Sequence, residues 1–117
     1  WCDMAVTLYA SNTQSATIGT EYILSTPSAA GIYTLHVDTA AMVNGDVAEI
    51  RVYQTTLTGG VLRVAYPMIY YGIQPTDDVE KISVPIGNDL AEANALKFTL
   101  KQTFGTARAF PWKVLSY

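Results

Sequence analysis

Apolar and polar side chains alternate with a period of two along almost the whole chain, in short runs stopped by Gly, Asn, Asp, Ser or Pro. Successive side chains of a strand point to opposite faces, so this period marks half-buried strands and excludes a helical bundle. In Gly31–Asp38, Tyr33, Leu35 and Val37 share one face while Ile32, Thr34 and His36 share the other. The same rhythm sets Ala48, Ile50 and Val52 against Glu49, Arg51 and Tyr53, and Leu96, Phe98 and Leu100 against Lys97, Thr99 and Lys101. Strands are expected near 4–10, 14–18, 20–26, 31–38, 46–57, 61–72, 79–85, 95–103 and 106–116. Two stretches invite a helical turn: 38–45, with Asp38 as N-cap and Asn44-Gly45 as a stop, and 88–94. Nine short strands in 117 residues cannot be shared between two cores. One all-β domain follows, an antiparallel β-sandwich of jelly-roll-like form, with a small β-barrel as the alternative.

Function classes narrow by what the chain lacks. Net charge is −3, and the seven Lys and Arg residues are spread without a run, so the basic stripe that neutralises phosphates is missing and no nucleic acid is expected as a partner. No apolar run approaches the roughly 20 residues that span a bilayer, and no membrane partner is expected. The N-terminus lacks the basic and apolar regions of a signal peptide, which reads as a soluble, non-secreted protein. The single cysteine, Cys2, can form neither an intramolecular disulfide nor a cysteine metal cluster.

Candidate chemistry is sparse. The one histidine, His36, lies on the more polar face of its strand, with no nucleophile and orienting acid nearby in sequence, and reads as a surface or interface residue. Asp77, Asp78 and Glu80 offer oxygen ligands to a hard cation, but the stretch lacks the glycine and ligand rhythm of a calcium loop and reads as a solvated turn before a strand. Gly59-Gly60 joins two strands without a following Lys-Ser/Thr, which is a hairpin and not a phosphate loop. Neither an enzyme nor a cofactor is expected, and a hydrolase using the scattered carboxylates stands as the remote alternative.

The run Val61–Gly72 departs from the pattern. Leu62, Val64, Tyr66, Met68 and Tyr70 form one face, and the other carries Ile69 and Tyr71 beside Arg63, Ala65 and Pro67. Pro67 cannot donate to a ladder, which places it at an edge or a bulge. An apolar, partly unpaired strand is a candidate contact surface, so Tyr66, Met68, Ile69, Tyr70 and Tyr71 are the candidate partner-binding residues, joined by the terminal aromatic Trp1. Tyrosines this close together also suit sugar stacking.

Two stretches resemble a known pattern. Gly31–Tyr53 resembles a strand followed by "VDxxxLxxGD" and "xELRIY", and Leu96–Trp112 is similar to "LKQTxGTxRxFPW". Both patterns belong to a family of small proteins in tailed-phage and marine viral genomes, similar in size and β-rich pattern to capsid decoration, or cement, proteins. The resemblance covers roughly the last three quarters of the chain and leaves 1–30 unmatched, which suits an extended arm or edge strand. It implies a virion protein, assembled in the host cytoplasm, that coats the capsid and stabilises the shell of major capsid protein, as a homotrimer if it follows a capsid axis. A tail, neck or fibre domain, with or without sugar binding, is the alternative. Within the second stretch Gly105 reads as the turn of a hairpin that returns through Phe110 and Trp112, with Lys101 and Lys113 on the opposite face.

Overall fold

A computed structural model describes residues 6–93 and 95–117. Among these residues nine strands form: β1 Thr7–Ala16, β2 Glu21–Ser25, β3 Gly31–Asp38, β4 Val47–Gln54, β5 Arg63–Tyr71, β6 Glu80–Ile82, β7 Ile86–Asn88, β8 Leu96–Phe104 and β9 Arg108–Ser116. They lie in two antiparallel sheets. The first runs β1-β9-β3-β6, with β7 also on β3, and the second runs β2-β8-β4-β5. Counting the broken pair β6 and β7 as one strand, the chain passes between sheets in the winding order of an eight-stranded jelly roll. Neither sheet closes on itself, so the barrel is not formed.

The alternating faces meet as the sequence requires. Tyr33, Leu35 and Val37 face Ala48, Ile50 and Val52, with Leu96, Phe98 and Leu100 from β8 and Phe110, Trp112 and Val114 from β9 completing one core. Most of these side chains are fully covered, Phe98 and Phe110 among them, and each buried aromatic or aliphatic group contributes about 1.5–3 kcal/mol. Lys81 on β6 closes one open side of the sandwich: its ammonium lies 5.1 Å from the ring centre of Tyr70 on β5 and 3.1 Å from Asp78 Oδ2.

Several expectations require correction. The two strands expected at 4–10 and 14–18 are one, because Ser11-Asn12-Thr13 runs straight through opposite Lys113, Trp112 and Pro111. The strand expected at 79–85 is broken: Pro85 lacks an N–H, and the Ser83 hydroxyl accepts the Leu35 N–H at 2.9 Å. The helical turn expected at 38–45 is a pair of successive β-turns, closed by Met42 N–H to Thr39 and Asp46 N–H to Val43. At 88–93 the Asn88 amide organises an open loop by donating to the carbonyls of Ala29 and Leu90. The one helical turn among the described residues lies in the acidic stretch, at Thr76–Asp78.

The largest correction concerns β8 and β9. They are not a hairpin, since β8 pairs with β2 and β4 while β9 pairs with β1 and β3. The turn at Gly105 carries the chain from one sheet to the other. Phe110 and Trp112 nevertheless enter the core, and Lys101 and Lys113 lie on the outer faces of different sheets.

Candidate partner-binding surface

β5 is the outer strand of the second sheet and among the described residues pairs only with β4, in register Glu49↔Ile69, Arg51↔Pro67 and Val47↔Tyr71. Its proline therefore sits on an edge, as a residue without an N–H must. The candidate residues divide between two faces. Tyr66, Met68 and Tyr70 turn inward and pack against the core, the Tyr70 hydroxyl donating to Met68 Sδ at 3.5 Å. Burial, with Tyr66 and Asp78 nearby, pushes the Tyr70 phenol above its ordinary value. Ile69 and Tyr71 turn outward, with Tyr71 70% exposed. Trp1 and Cys2 lie outside the described residues. Of the three tyrosines of β5, two are thus partly buried and one is exposed.

The outward pair has neighbours that alternation concealed. β8 carries a bulge opposite Val47 and Ala48, where Gln102 pairs with Ala48 and Phe104 with Val47. That extra residue turns Phe104, 66% exposed, onto the outer face, whereas strict alternation from Leu100 and Gln102 would bury it. Phe104, Val47 and Tyr71 thus lie side by side on three adjacent strands, with Ile69 next along β5. Exposed Ile73 and Val43 flank them in the loops at the same end.

Beneath this apolar band lies a polar clamp. The Asp46 carboxylate is buried and accepts the Val43 N–H at 3.0 Å, the Thr106 N–H at 3.2 Å and Arg108 Nε at 2.9 Å. Burial alone would raise its pKa; the donors from Val43, Arg108 and Thr106 and the Arg108 charge outweigh that and hold it below the usual carboxylate range. Gln102, fully buried, fastens the same turn by donating to the carbonyls of Phe104 and Thr106 and accepting the Arg108 N–H. The two sequence stretches Gly31–Tyr53 and Leu96–Trp112 therefore meet at Asp46, Gly105 and Arg108, where their residues have a structural use. Further along the outer face, Glu21 accepts from Tyr53 and Thr99, both at 2.6 Å, and pairs with Arg51, which also pairs with Glu49. Burial alone would raise the Glu21 carboxyl; the Thr99 and Tyr53 hydroxyls with the Arg51 and Lys97 charges reverse that and lower it. One half of the face is thus a polar network of hydrogen bonds and ion pairs and the other half is apolar.

The first sheet holds a shallow groove of 270 Å³, lined by Ser11, His36, Asp38, Glu80, Pro111, Trp112 and Lys113. Strand pairing brings Ser11 here through Lys113, which sequence spacing could not show. A serine, a histidine and an aspartate share the groove without the bonding of a triad. His36 contacts Thr34 Oγ1 at 3.2 Å and Glu80 at 3.9 Å, while Asp38 accepts the Ala40 N–H. Burial and the Lys113 charge lower the His36 pKa against the pull of Glu80. Asp77 and Asp78 are exposed in their turn, and no cluster of three metal-ligating side chains occurs among the described residues. The chain matches no family model, no curated protein and no solved structure.

Proposed function

We propose that this chain is a viral capsid decoration, or cement, protein that binds across neighbouring subunits of the major capsid protein and stabilises the assembled shell. The observation that supports it is the apolar band of Phe104, Val47, Tyr71 and Ile69, held on the outer face of the second sheet and bordered by the polar network of Glu21, Arg51 and Glu49. Exposed apolar patches with polar rims mark contact surfaces, and aromatic anchors carry most of the binding energy at such surfaces. A protein that binds only the assembled state stabilises that state by mass action, and many copies on one lattice add avidity. Threefold grouping of copies about a capsid axis belongs to this reading, as does a place on the capsid surface.

Locating the chain on purified particles tests the proposal: an even coat over the shell supports it, and density confined to the tail or portal end replaces it with a tail, neck or fibre role. Charged substitutions at the band give a second test. Ile69→Lys and Tyr71→Asp are expected to weaken particle binding at least about tenfold while changing folding stability by no more than about 0.5 kcal/mol, as surface substitutions do. Normal binding by both variants in a pull-down with particles removes this face from the contact.

A further inference from the structure

Edges that end a sheet are usually guarded by shortness, charge or proline. The second sheet ends on β2, five residues with Glu21, and on β5, which carries Arg63 and Pro67. The first sheet ends on one side in the three-residue strands β6 and β7. Its other edge, β1, is ten residues long, with no proline and no charged side chain, and is exposed along most of its length. Among the described residues β1 pairs only with β9, regularly from Ala10↔Val114 to Ala16↔Arg108.

Two local contacts show which backbone groups this edge turns away from β9. Thr13 N–H is taken by its neighbour's side chain, Asn12 Oδ1, at 2.8 Å, and the Ser15 carbonyl accepts Gln14 Nε2 at 3.0 Å. Both contacts are made by amides at exposed or partly exposed positions. Residues two apart in a strand direct their backbone groups the same way, so Thr13 and Ser15 face outward, consistent with Thr13 lying opposite Pro111. Side-chain amides thus stand where a neighbouring strand would bond.

The regular segment reads Ala10-Ser11-Asn12-Thr13-Gln14-Ser15-Ala16, which is the same in both directions if Asn and Gln are taken as equivalent. We infer that β1 is a self-recognition edge, pairing antiparallel with β1 of a second copy about a two-fold axis through Thr13. In that register Thr13 meets Thr13, Asn12 meets Gln14, Ser11 meets Ser15 and Ala10 meets Ala16. A two-fold contact sets every residue against its symmetry partner, so a charge near the axis would meet its own kind, and β1 has none. Thr13, with outward N–H and C=O, forms a hydrogen-bonded pair at the axis, and each amide pair falls at the closer, non-hydrogen-bonded position. The two first sheets then become one continuous sheet across both copies. This inference does not rest on the capsid reading, and a threefold grouping would use other surfaces.

Sedimentation equilibrium of the full chain over a range of concentrations tests it. A reversible monomer–dimer equilibrium is expected. Thr13→Lys, which sets two ammonium groups against each other, is expected to raise the dimer Kd at least about tenfold, with unchanged β circular dichroism. Mixing Thr13→Lys with Thr13→Glu is expected to restore dimers by opposite charge. Thr13→Pro, which removes the axial N–H without touching the β9 ladder, is the second variant and is expected to be monomeric. A wild-type chain that stays monomeric overturns the inference, as does a folded Thr13→Lys or Thr13→Pro chain that associates like wild type.

Discussion

Asp46→Ala is expected to destabilise the fold by about 3 kcal/mol, the cost of breaking a buried ion pair and leaving its partners uncompensated. The substitution leaves the Arg108 guanidinium and the N–H groups of Val43 and Thr106 without their acceptor. Arg108 is partly open to water, 28% exposed in its side chain, which keeps the cost at the lower end of that range. In thermal unfolding this amounts to roughly 10–15 °C for a domain of this size. The sign of the pH dependence follows from the lowered pKa. A carboxyl whose folded value lies below its unfolded value of 3.8 contributes stability that is fully present above 3.8 and is lost as pH falls through the folded value. Glu21 is shifted the same way, so wild type loses stability in acid through both groups. Asp46→Ala removes one contribution, and its unfolding midpoint should fall less steeply than that of wild type below that pH. Equal acid sensitivity in the two chains would mean that Asp46 is not held ionised by these donors.

Gly105→Ala is expected to cost as much or more, about 3–5 kcal/mol, for two separate reasons. Gly105 has φ +98°, where a side chain is strained, and a Cβ there would lie 2.0 Å from Asp46 Oδ1 and 2.8 Å from the Asp46 backbone. The carboxylate cannot step aside without giving up its three donors, and the backbone atom cannot step aside at all without moving the start of β4. The two substitutions share one clash, so they should not add. In the Asp46→Ala background the overlap with Oδ1 is gone and the overlap with the residue 46 backbone remains, and the double variant should be more stable than the sum of the singles by at least about 1 kcal/mol. Strict additivity in urea unfolding would show that Gly105 is required for its φ alone.

Legibility differed between elements for physical reasons. β3, β4 and β8 up to Gln102 were readable because both their faces have a fixed environment, core on one side and mainly polar groups on the other, so alternation is enforced along them. β1 was not, because an edge strand with an exposed side has no need of apolar residues, and Ser11-Asn12-Thr13 is as good a turn as it is an edge. The Gly105 turn was visible, yet a left-handed glycine between two apolar runs looks the same whether the strands pair or part into different sheets. What separates the cases is Asp46, far away in sequence, whose carboxylate and backbone pack where a Cβ would go. Within the candidate surface, Ile69 and Tyr71 were legible from the period of β5. Phe104 was not, because one bulge reversed its parity and the sequence carries no mark of it. Ser11 beside His36 was likewise hidden, since their proximity is a property of strand order.

The pairing of β1 with β9 also governs when this molecule can come into being. Thr7 lies opposite Ser116, and among the described residues β2 pairs only with β8, so β1 and β2 must both wait for segments made far later in the chain. Until then an uncharged ten-residue strand stands with neither edge satisfied. Closing such long loops delays folding to the slow regime of all-β sandwiches, milliseconds to seconds. During synthesis the emerging chain cannot finish any part of the first sheet's β1 side, and a chain cut before β9 would lose the partner of β1 and the main neighbour of β3 together. The first sheet therefore cannot be completed before β9 is made, and β1 is open to misassociation until then.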